Sequence, residues 1–289
     1  MSIKKIIKPI FFFVLNIFID KNSILDVRKN RNYLDHLWYT LRFRLAGLEI
    51  IFTKNEKKLH SFKNKHKGER CFIIGNGPSL NKLDLTLLKG ETTFGVNGIY
   101  LNQEKMGFLP TYYVIEDYLI AEDRASEINE LKGPVKFVPT FLDYTLKKDC
   151  NTINFNAYVN YSDKIFEPLF SDNCLRKIGV GGSVTFMCLQ LAYYMGFDQV
   201  YMIGFDHNYA KLEKTDSSII VTEENDENHF TPNYYTKGER WHDPNVERME
   251  KGFTVARNHF LNNNRKVWNA TYKGHLEVFE RKDFEKIFI

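Results

Sequence analysis

The chain is most constrained by a recurrence of short apolar runs, each stopping at a small polar turn. Cys71-Phe72-Ile73-Ile74 runs into Gly75-Asn76-Gly77-Pro78-Ser79. Residues 93–96 run into Asn97-Gly98, residues 112–115 into Glu116-Asp117, and residues 135–138 into Pro139-Thr140. Residues 199–203 run into Gly204-Phe205-Asp206, and residues 265–268 into Asn269-Ala270-Thr271. Runs of this length bounded by turn residues are strands buried on both faces. Between them, Gly181 to Tyr194 and about Asn245 to Phe260 carry helical spacing. Strands alternating with helices predict an α/β fold, with a mainly parallel sheet wrapped by helices. Ligands of such sheets bind beyond the carboxyl ends of the strands. Asn76, Ser79, Asn97, Glu116, Asp117, Ser183, Asp206, His207 and Asn269 sit at those ends.

The 289 residues, 43% apolar and 26% charged, exclude a disordered chain, a collagen-like fibre and a polytopic membrane protein. They divide into a basic helical extension over 1–69 and one nucleotide-binding domain over 70–289. In the extension, Leu34, Leu37, Trp38, Leu41, Leu45 and Leu48 recur at helical spacing, and Lys54 to Arg70 has the composition of a linker. Residues 210–245 are polar, poor in strands and rich in aromatics and histidine, the marks of a lid. Cys71, Cys150, Cys174 and Cys188 show no CxxC spacing and read as reduced thiols of a cytoplasmic protein.

Charge is unevenly spread. Residues 1–70 hold 16 Lys/Arg against 6 Asp/Glu, whereas the chain as a whole is only +4. Such a basic arm implies a polyanionic partner. Lys4, Lys5 and Lys8 precede a run from Ile10 to Ile19 that only Asn16 interrupts. That run is too short to span a bilayer and lacks a cleavage site. It fits either a segment lying on the inner face of the plasma membrane or a helix docked on protein. No nucleic-acid motif accompanies the basic residues, so no nucleic-acid partner is expected.

Four stretches carry chemistry. Glycines in Gly75-Asn76-Gly77-Pro78-Ser79 allow a tight turn and let backbone N–H groups approach a phosphate. An ordinary strand-to-helix turn would look the same, and the spacing is neither a Walker loop nor a dinucleotide fingerprint. Gly181-Gly182-Ser183 opens a helix, where free N–H groups attract an anion and Ser183 can cap. Asp206-His207 ends a strand and can bind ribose, hold a metal or cap a turn. In the lid, His229 and His242 can each take a proton from a hydroxyl, and Tyr209, Tyr234 and Tyr235 can steady a leaving phosphate.

Together these segments resemble bacterial family 42 sialyltransferases. The likeness rests on Ile73 to Leu80, Phe94 to Asn97, Ser183 with Met187-Cys188, and Ile203 to Asp206. With His229-Phe230, Pro232 to Tyr235, Asn269-Ala270-Thr271 and Leu276 to Phe279, the chain is closer still to the 6-hydroxymethylpterin diphosphokinase-like family over roughly 70–288. That domain also forms the core of motility-associated factors that glycosylate flagellin. The resemblance implies a Rossmann-like variant of the nucleotide-sugar transferase fold, with a CMP-sugar or other nucleotide sugar as donor and no required cofactor or metal. It implies that Asn76, Gly77 and Ser79 line the donor phosphate and ribose, and that Asn97 meets the cytidine or sugar. Gly182 and Ser183 would approach the base or carboxylate, and His242 would be the catalytic base. Glu116-Asp117 departs from the sialyltransferase pattern, which has Asn there. This leaves the donor and a Mg²⁺ requirement open. Asn208 and Tyr209 compete for the place of one phosphate-assisting tyrosine.

The expected function is a glycosyltransferase of surface-glycan assembly, acting on a glycan or lipid-linked glycan with inversion. Its site would comprise His242, Tyr209 and Tyr235 as catalytic residues. Asn76, Gly77, Ser79, Asn97, Glu116, Asp117, Gly182, Ser183 and Asp206 would hold the donor. The alternatives are a pterin diphosphokinase using ATP and Mg²⁺, with Glu116, Asp117 and Asp206 on the metal, and a non-catalytic nucleotide-binding protein.

Overall fold

The computed structural model describes residues 23–25, 31–159, 161–162, 165–208, 219–222, 226, 228–242 and 244–289. The apolar run of 1–19 and Tyr209 lie outside them.

Eight strands form one parallel sheet. They are β1 (Arg70–Ile74), β2 (Thr93–Val96), β3 (Tyr112–Val114), β4 (Val135–Pro139), β5 (Thr152–Phe155), β6 (Gln199–Ile203), β7 (Lys266–Asn269) and β8 (Glu280–Arg281). Their order is 8-7-6-1-2-3-4-5, and every neighbouring pair is parallel. The fold is therefore α/β and Rossmann-like, as expected. Ile74 pairs with Ile203 of β6 and with Gly95 of β2, so three carboxyl ends are level. Chain direction across the sheet reverses between β1 and β6, and a crevice opens at such a reversal.

All six strands expected from the apolar runs are present. Two were not legible. β8 is only two charged residues on the sheet edge. β5 reads Thr-Ile-Asn-Phe, and its outer edge is closed by one side chain. Asn55 donates to the Asn154 carbonyl and accepts from the Asn154 N–H, both at 2.7 Å. An amide thus stands in for a missing strand and covers an open edge.

The linker expected over Lys54 to Arg70 is instead packed structure. Thr53 and Glu56 form a reciprocal capping box that starts a helix, Lys54–His60, which we label α2. Leu59 and Phe62 enter the core, and Glu56 is buried against Arg42. Composition misleads here because Leu59, Phe62 and a buried Glu56–Arg42 pair suffice to dock a short segment whose lysines face water. The preceding helix α1 (Tyr33–Gly47) is capped by Asn32 and buries Thr40, Phe43 and Ala46. That face is opposite to the leucine spacing that marks the helix in sequence.

Two longer helices cover the sheet. α3 (Val184–Met195) is apolar all round because it is buried almost entirely, and it ends at Gly196 with φ of 93°. α4 (Val246–Asn262) buries Met249, Phe253, Ala256 and Phe260 and turns its polar side out. Within the lid region, Ile219–Val221 pairs antiparallel with Arg240–His242. Cys71, Cys174 and Cys188 are buried free thiols, while Cys150 is exposed. Among the described residues no helix is long and apolar enough to cross a membrane.

Replacing Leu59 by Ala should cost about 2–5 kcal/mol of unfolding free energy, the range for a truncated core leucine. The same change at exposed Leu34 should cost almost nothing. Urea titration of both variants checks this, and equal costs would contradict the docking of α2.

Candidate active site

The turn after β1 is clasped to the turn after β6. The Gly75 N–H donates to the Ile203 carbonyl at 2.8 Å, and the Gly77 N–H donates to the Gly204 carbonyl at 2.9 Å. A Cβ on Gly77 would lie 1.9 Å from Asp206 Oδ2, and one on Gly75 would lie 2.5 Å from the Gly204 oxygen. The glycines are needed because another backbone passes against them. Their N–H groups are consumed by that backbone, so they are not free to bind phosphate as the sequence suggested.

Asp206 completes the clasp. Its carboxylate accepts from the Ser79 hydroxyl at 2.7 Å and from the Ser79 N–H at 3.1 Å. Burial pushes the Asp206 carboxyl up, and the bonds from Ser79 oppose that rise. Ser79 is itself buried and turned onto Asp206.

Beyond the clasp lies a cavity of about 140 Å³. Of the residues expected from sequence, Asn76, Gly77, Asn97, Ser183 and Asp206 line it. His207, Asn208, Asn228 and His229 complete its polar wall, and no lysine or arginine is among its described lining residues. Asn76 donates to the Val96 carbonyl at 3.1 Å. The Oδ1 atoms of Asn76 and Asn97 are buried without a described hydrogen-bond partner. Two such acceptors at one cavity await a donor, because leaving them unpaired costs about 1–3 kcal/mol each. Asn97 has φ of 50°, in the left-handed region that asparagine tolerates better than most residues. Ser183 caps α3 by accepting from Thr185 N–H at 3.2 Å, so it serves the helix as well as the wall.

One side of the cavity is formed by Asn228 and His229. Phe230 N–H donates to the Asn76 carbonyl at 2.8 Å, which sets His229 beside the glycine turn. His229 Nδ1 lies 2.6 Å from buried Asp226 Oδ2. A carboxylate can only accept, so Nδ1 carries the proton. The imidazole is stacked on Tyr234 at 3.9 Å and 3°. Tyr234 is in turn fixed by accepting from Gly98 N–H at 3.0 Å. Buried Arg124 donates to the Tyr234 carbonyl and pairs with Glu239 at 2.8 Å, tying this segment to the core.

A second acidic group stands at the end of β3. Desolvation pushes the Glu116 carboxyl up to about 7; neighbouring Asp117 adds to the rise and Arg248 opposes it. Asp117 is also raised by burial, against the pull of His242. His242 Nε2 lies 3.6 Å from Asp117 Oδ1, and its ring meets Tyr118 edge-on at 5.1 Å. Arg248 packs where a Gly182 Cβ would be, next to Ser183 of the cavity wall. Glu116, Asp117, Gly182 and His242 are not among the described lining residues of the cavity. Tyr235 is buried, partly stacked on Trp241 at 6.1 Å, and burial holds its phenol protonated.

The sequence reading missed three side chains: Arg124, Arg248 and the role of Asp226 as partner of His229. Asp226 had a signal, since it lies three residues before His229 in a tight turn. The two arginines had none, because their partners are distant in sequence. Asp206 lies three strands from Glu116 and Asp117, so the three do not form one cation cage. Among the described residues no group of three His, Cys, Asp or Glu is arranged to hold a metal.

The family described as 6-hydroxymethylpterin diphosphokinase MptE-like matches residues 49–212. No curated protein matches significantly. Among solved structures, a MAf glycosyltransferase from Magnetospirillum magneticum AMB-1 is similar at 14% identity, with a TM-score of 0.46. The likeness covers 89% of this chain and 43% of that one, so this chain spans less than half its length. A mammalian sialyltransferase, solved with Gal-beta-1-3GalNAc-ortho-nitrophenol, is similar at 12% identity, with a TM-score of 0.38. That likeness covers 91% of this chain and 95% of the sialyltransferase.

Two outcomes follow from this geometry. Gly77→Ala should lose more than about 2 kcal/mol in urea unfolding, since a Cβ there overpacks the clasp. Glu116 ionises near 7 when folded against an ordinary 4.5, so its charged form weakens the fold. Glu116→Gln should therefore match the parent below pH 4.5 and gain stability as pH rises to 7. The gain should plateau above that at no more than about 3 kcal/mol. A gain that shrinks with rising pH would contradict the burial of this carboxyl.

Proposed function

The chain belongs to the 6-hydroxymethylpterin diphosphokinase MptE-like family, and on that premise we propose that it is a glycosyltransferase with a nucleotide-sugar donor. The observation that carries this reading is the chemistry of the cavity wall. Its described polar residues are amides, hydroxyls, two imidazoles and one carboxylate already engaged by Ser79. Such a wall suits a ribose and a single phosphate. A triphosphate would need cations, and the described wall has no lysine or arginine.

In this reading the donor phosphate lies by His229, which the clasped turn and Asp226 hold in place. The acceptor hydroxyl approaches from the open side, where His242 is partly exposed. Asp117 faces His242 Nε2, leaving Nδ1 to take the hydroxyl proton. The acceptor oxygen bonds to the anomeric carbon as the bond from that carbon to the phosphate oxygen breaks. The configuration inverts, and the nucleotide leaves with the phosphate. A cavity of about 140 Å³ takes only part of a nucleotide sugar, so the rest lies across its mouth or enters as the lid moves. The acceptor is proposed to be a glycan or lipid-linked glycan. Glu116, raised to about 7 and so still partly protonated at neutral pH, offers a hydrogen-bond donor to the sugar.

His242→Ala should lower turnover at least about a hundredfold, the range for a lost general base, while leaving nucleotide binding intact. His229→Gln should weaken nucleotide binding. Thermal unfolding across a nucleotide panel, with and without Mg²⁺, separates the readings. A ligand far above its Kd adds a few kcal/mol of stability. CMP acting without metal supports glycosyl transfer, whereas ATP acting only with Mg²⁺ supports the diphosphokinase chemistry in the family's description. Unchanged turnover in His242→Ala would remove His242 from the mechanism.

A further inference from the structure

Helix α1 carries apolar side chains on two opposite faces, and the described residues cover only one of them. Thr40, Phe43 and Ala46 meet the domain. At 100° per residue, Leu34, Trp38, Leu41, Leu45 and Leu48 fall within about 40° of a line on the other side. Ile50 and Phe52 follow just past the helix end. Leu34, Trp38, Leu41, Leu48, Ile50 and Phe52 are between 46% and 72% exposed. Six large apolar side chains exposed within nineteen residues exceed what scattered surface leucines account for.

The flanks of this ridge are basic. Arg42 and Arg44 stand on its two sides, about 80° from the apolar line. Arg42 also borders a pocket of about 270 Å³ with Tyr39, Lys54, Lys58 and Lys148. Asp149 of that pocket is bound to Lys136 at 2.6 Å, Arg42 is held by buried Glu56, and Lys148 lies 3.3 Å from Asp143. Glu49, at the far end of the ridge, is paired with Lys63.

We propose that the exposed face of α1 docks on an anionic lipid bilayer, with the apolar ridge among the acyl chains and a lipid phosphate at the mouth of the pocket, beside Lys54, Lys58 and Lys148. Charge decides between occupants. A second copy meeting this face would bring Arg42, Arg44, Lys54, Lys57 and Lys58 against their own kind. An anionic bilayer attracts them, at about 1 kcal/mol per basic residue near the surface. A protruding ridge with a tryptophan and flanking cations also matches the layered polarity of a membrane interface. This docking stands apart from the chemistry proposed for the cavity and from any contact made by residues 1–19.

The full chain with Trp241→Phe and Trp268→Phe leaves Trp38 as its single tryptophan. Mixed with vesicles of phosphatidylcholine and phosphatidylglycerol in equal parts, its Trp38 emission should shift to the blue. Brominated acyl chains should quench it, and phosphatidylcholine vesicles alone should do far less. Leu34→Ser with Leu41→Ser should lower vesicle co-sedimentation about tenfold or more, and Lys54→Glu with Lys58→Glu should abolish the preference for anionic lipid. Thermal unfolding confirms that each variant is folded. Sedimentation with Trp38 left unquenched would assign binding to another segment and overturn the proposal. So would a parent dimer in solution that Leu34→Ser with Leu41→Ser converts to monomer, since a second copy would then occupy this face.

Discussion

Two strand ends pass so closely that neither can carry a side chain at the crossing. Gly75 and Gly77 donate to Ile203 and Gly204, and Asp206 reaches across to Ser79. This contact lies where the sheet reverses direction, so it fixes the floor of the cavity. It also orients the loop that presents Asn76. The glycines serve the fold first, since their backbone donors are spent on the neighbouring strand. Binding capacity passes to the side chains left over, above all the Asn76 and Asn97 oxygens that have no partner among the described residues. Backbone fit thus sets the position, and amide side chains set the chemistry.

Residues 228–242 depend on the same floor. Phe230 hangs from the Asn76 carbonyl, Tyr234 from Gly98, and Arg124 ties Tyr234 and Glu239 to the domain. Gly98 has to be glycine because a Cβ there would come within 2.7 Å of the Tyr234 ring. The result is two Asp–His pairs of different character. Asp226–His229 is close, partly buried and stacked, so its imidazole is rigid. Asp117–His242 is longer and more open, beside a Glu116 whose carboxyl desolvation pushes up to about 7. Burial and separation, rather than residue type, give the two histidines distinct surroundings.

The amino-terminal helices solve a different problem. A parallel sheet leaves an unsatisfied edge at β5, and Asn55 answers its backbone with one amide. Holding Asn55 there needs α2 anchored by Leu59 and Phe62 and α1 held through Arg42 and Glu56. Covering the edge with a thin helix pair leaves the outer face of α1 apolar and its flanks basic. Edge protection and an interaction surface therefore come from the same two helices.

Sequence alone determined the six main strands, their parallel arrangement and the rank of residues at their carboxyl ends. Those features rest on local physics: a run of apolar residues long enough for a strand, then a turn that only small or polar residues make. That Asn76, Asn97, Ser183 and Asp206 share one cavity follows from the same logic, because parallel strands put all their ends on one side. Tertiary structure alone decided which donors were already spent. It also decided which histidines lie in the cavity wall and which face of α1 the described residues cover. The glycine N–H groups, the Asp206 carboxylate, Arg124 and Arg248 all take partners far away in the chain. Hydrogen bonding and burial depend on distance in space, and spacing along the sequence carries no record of it.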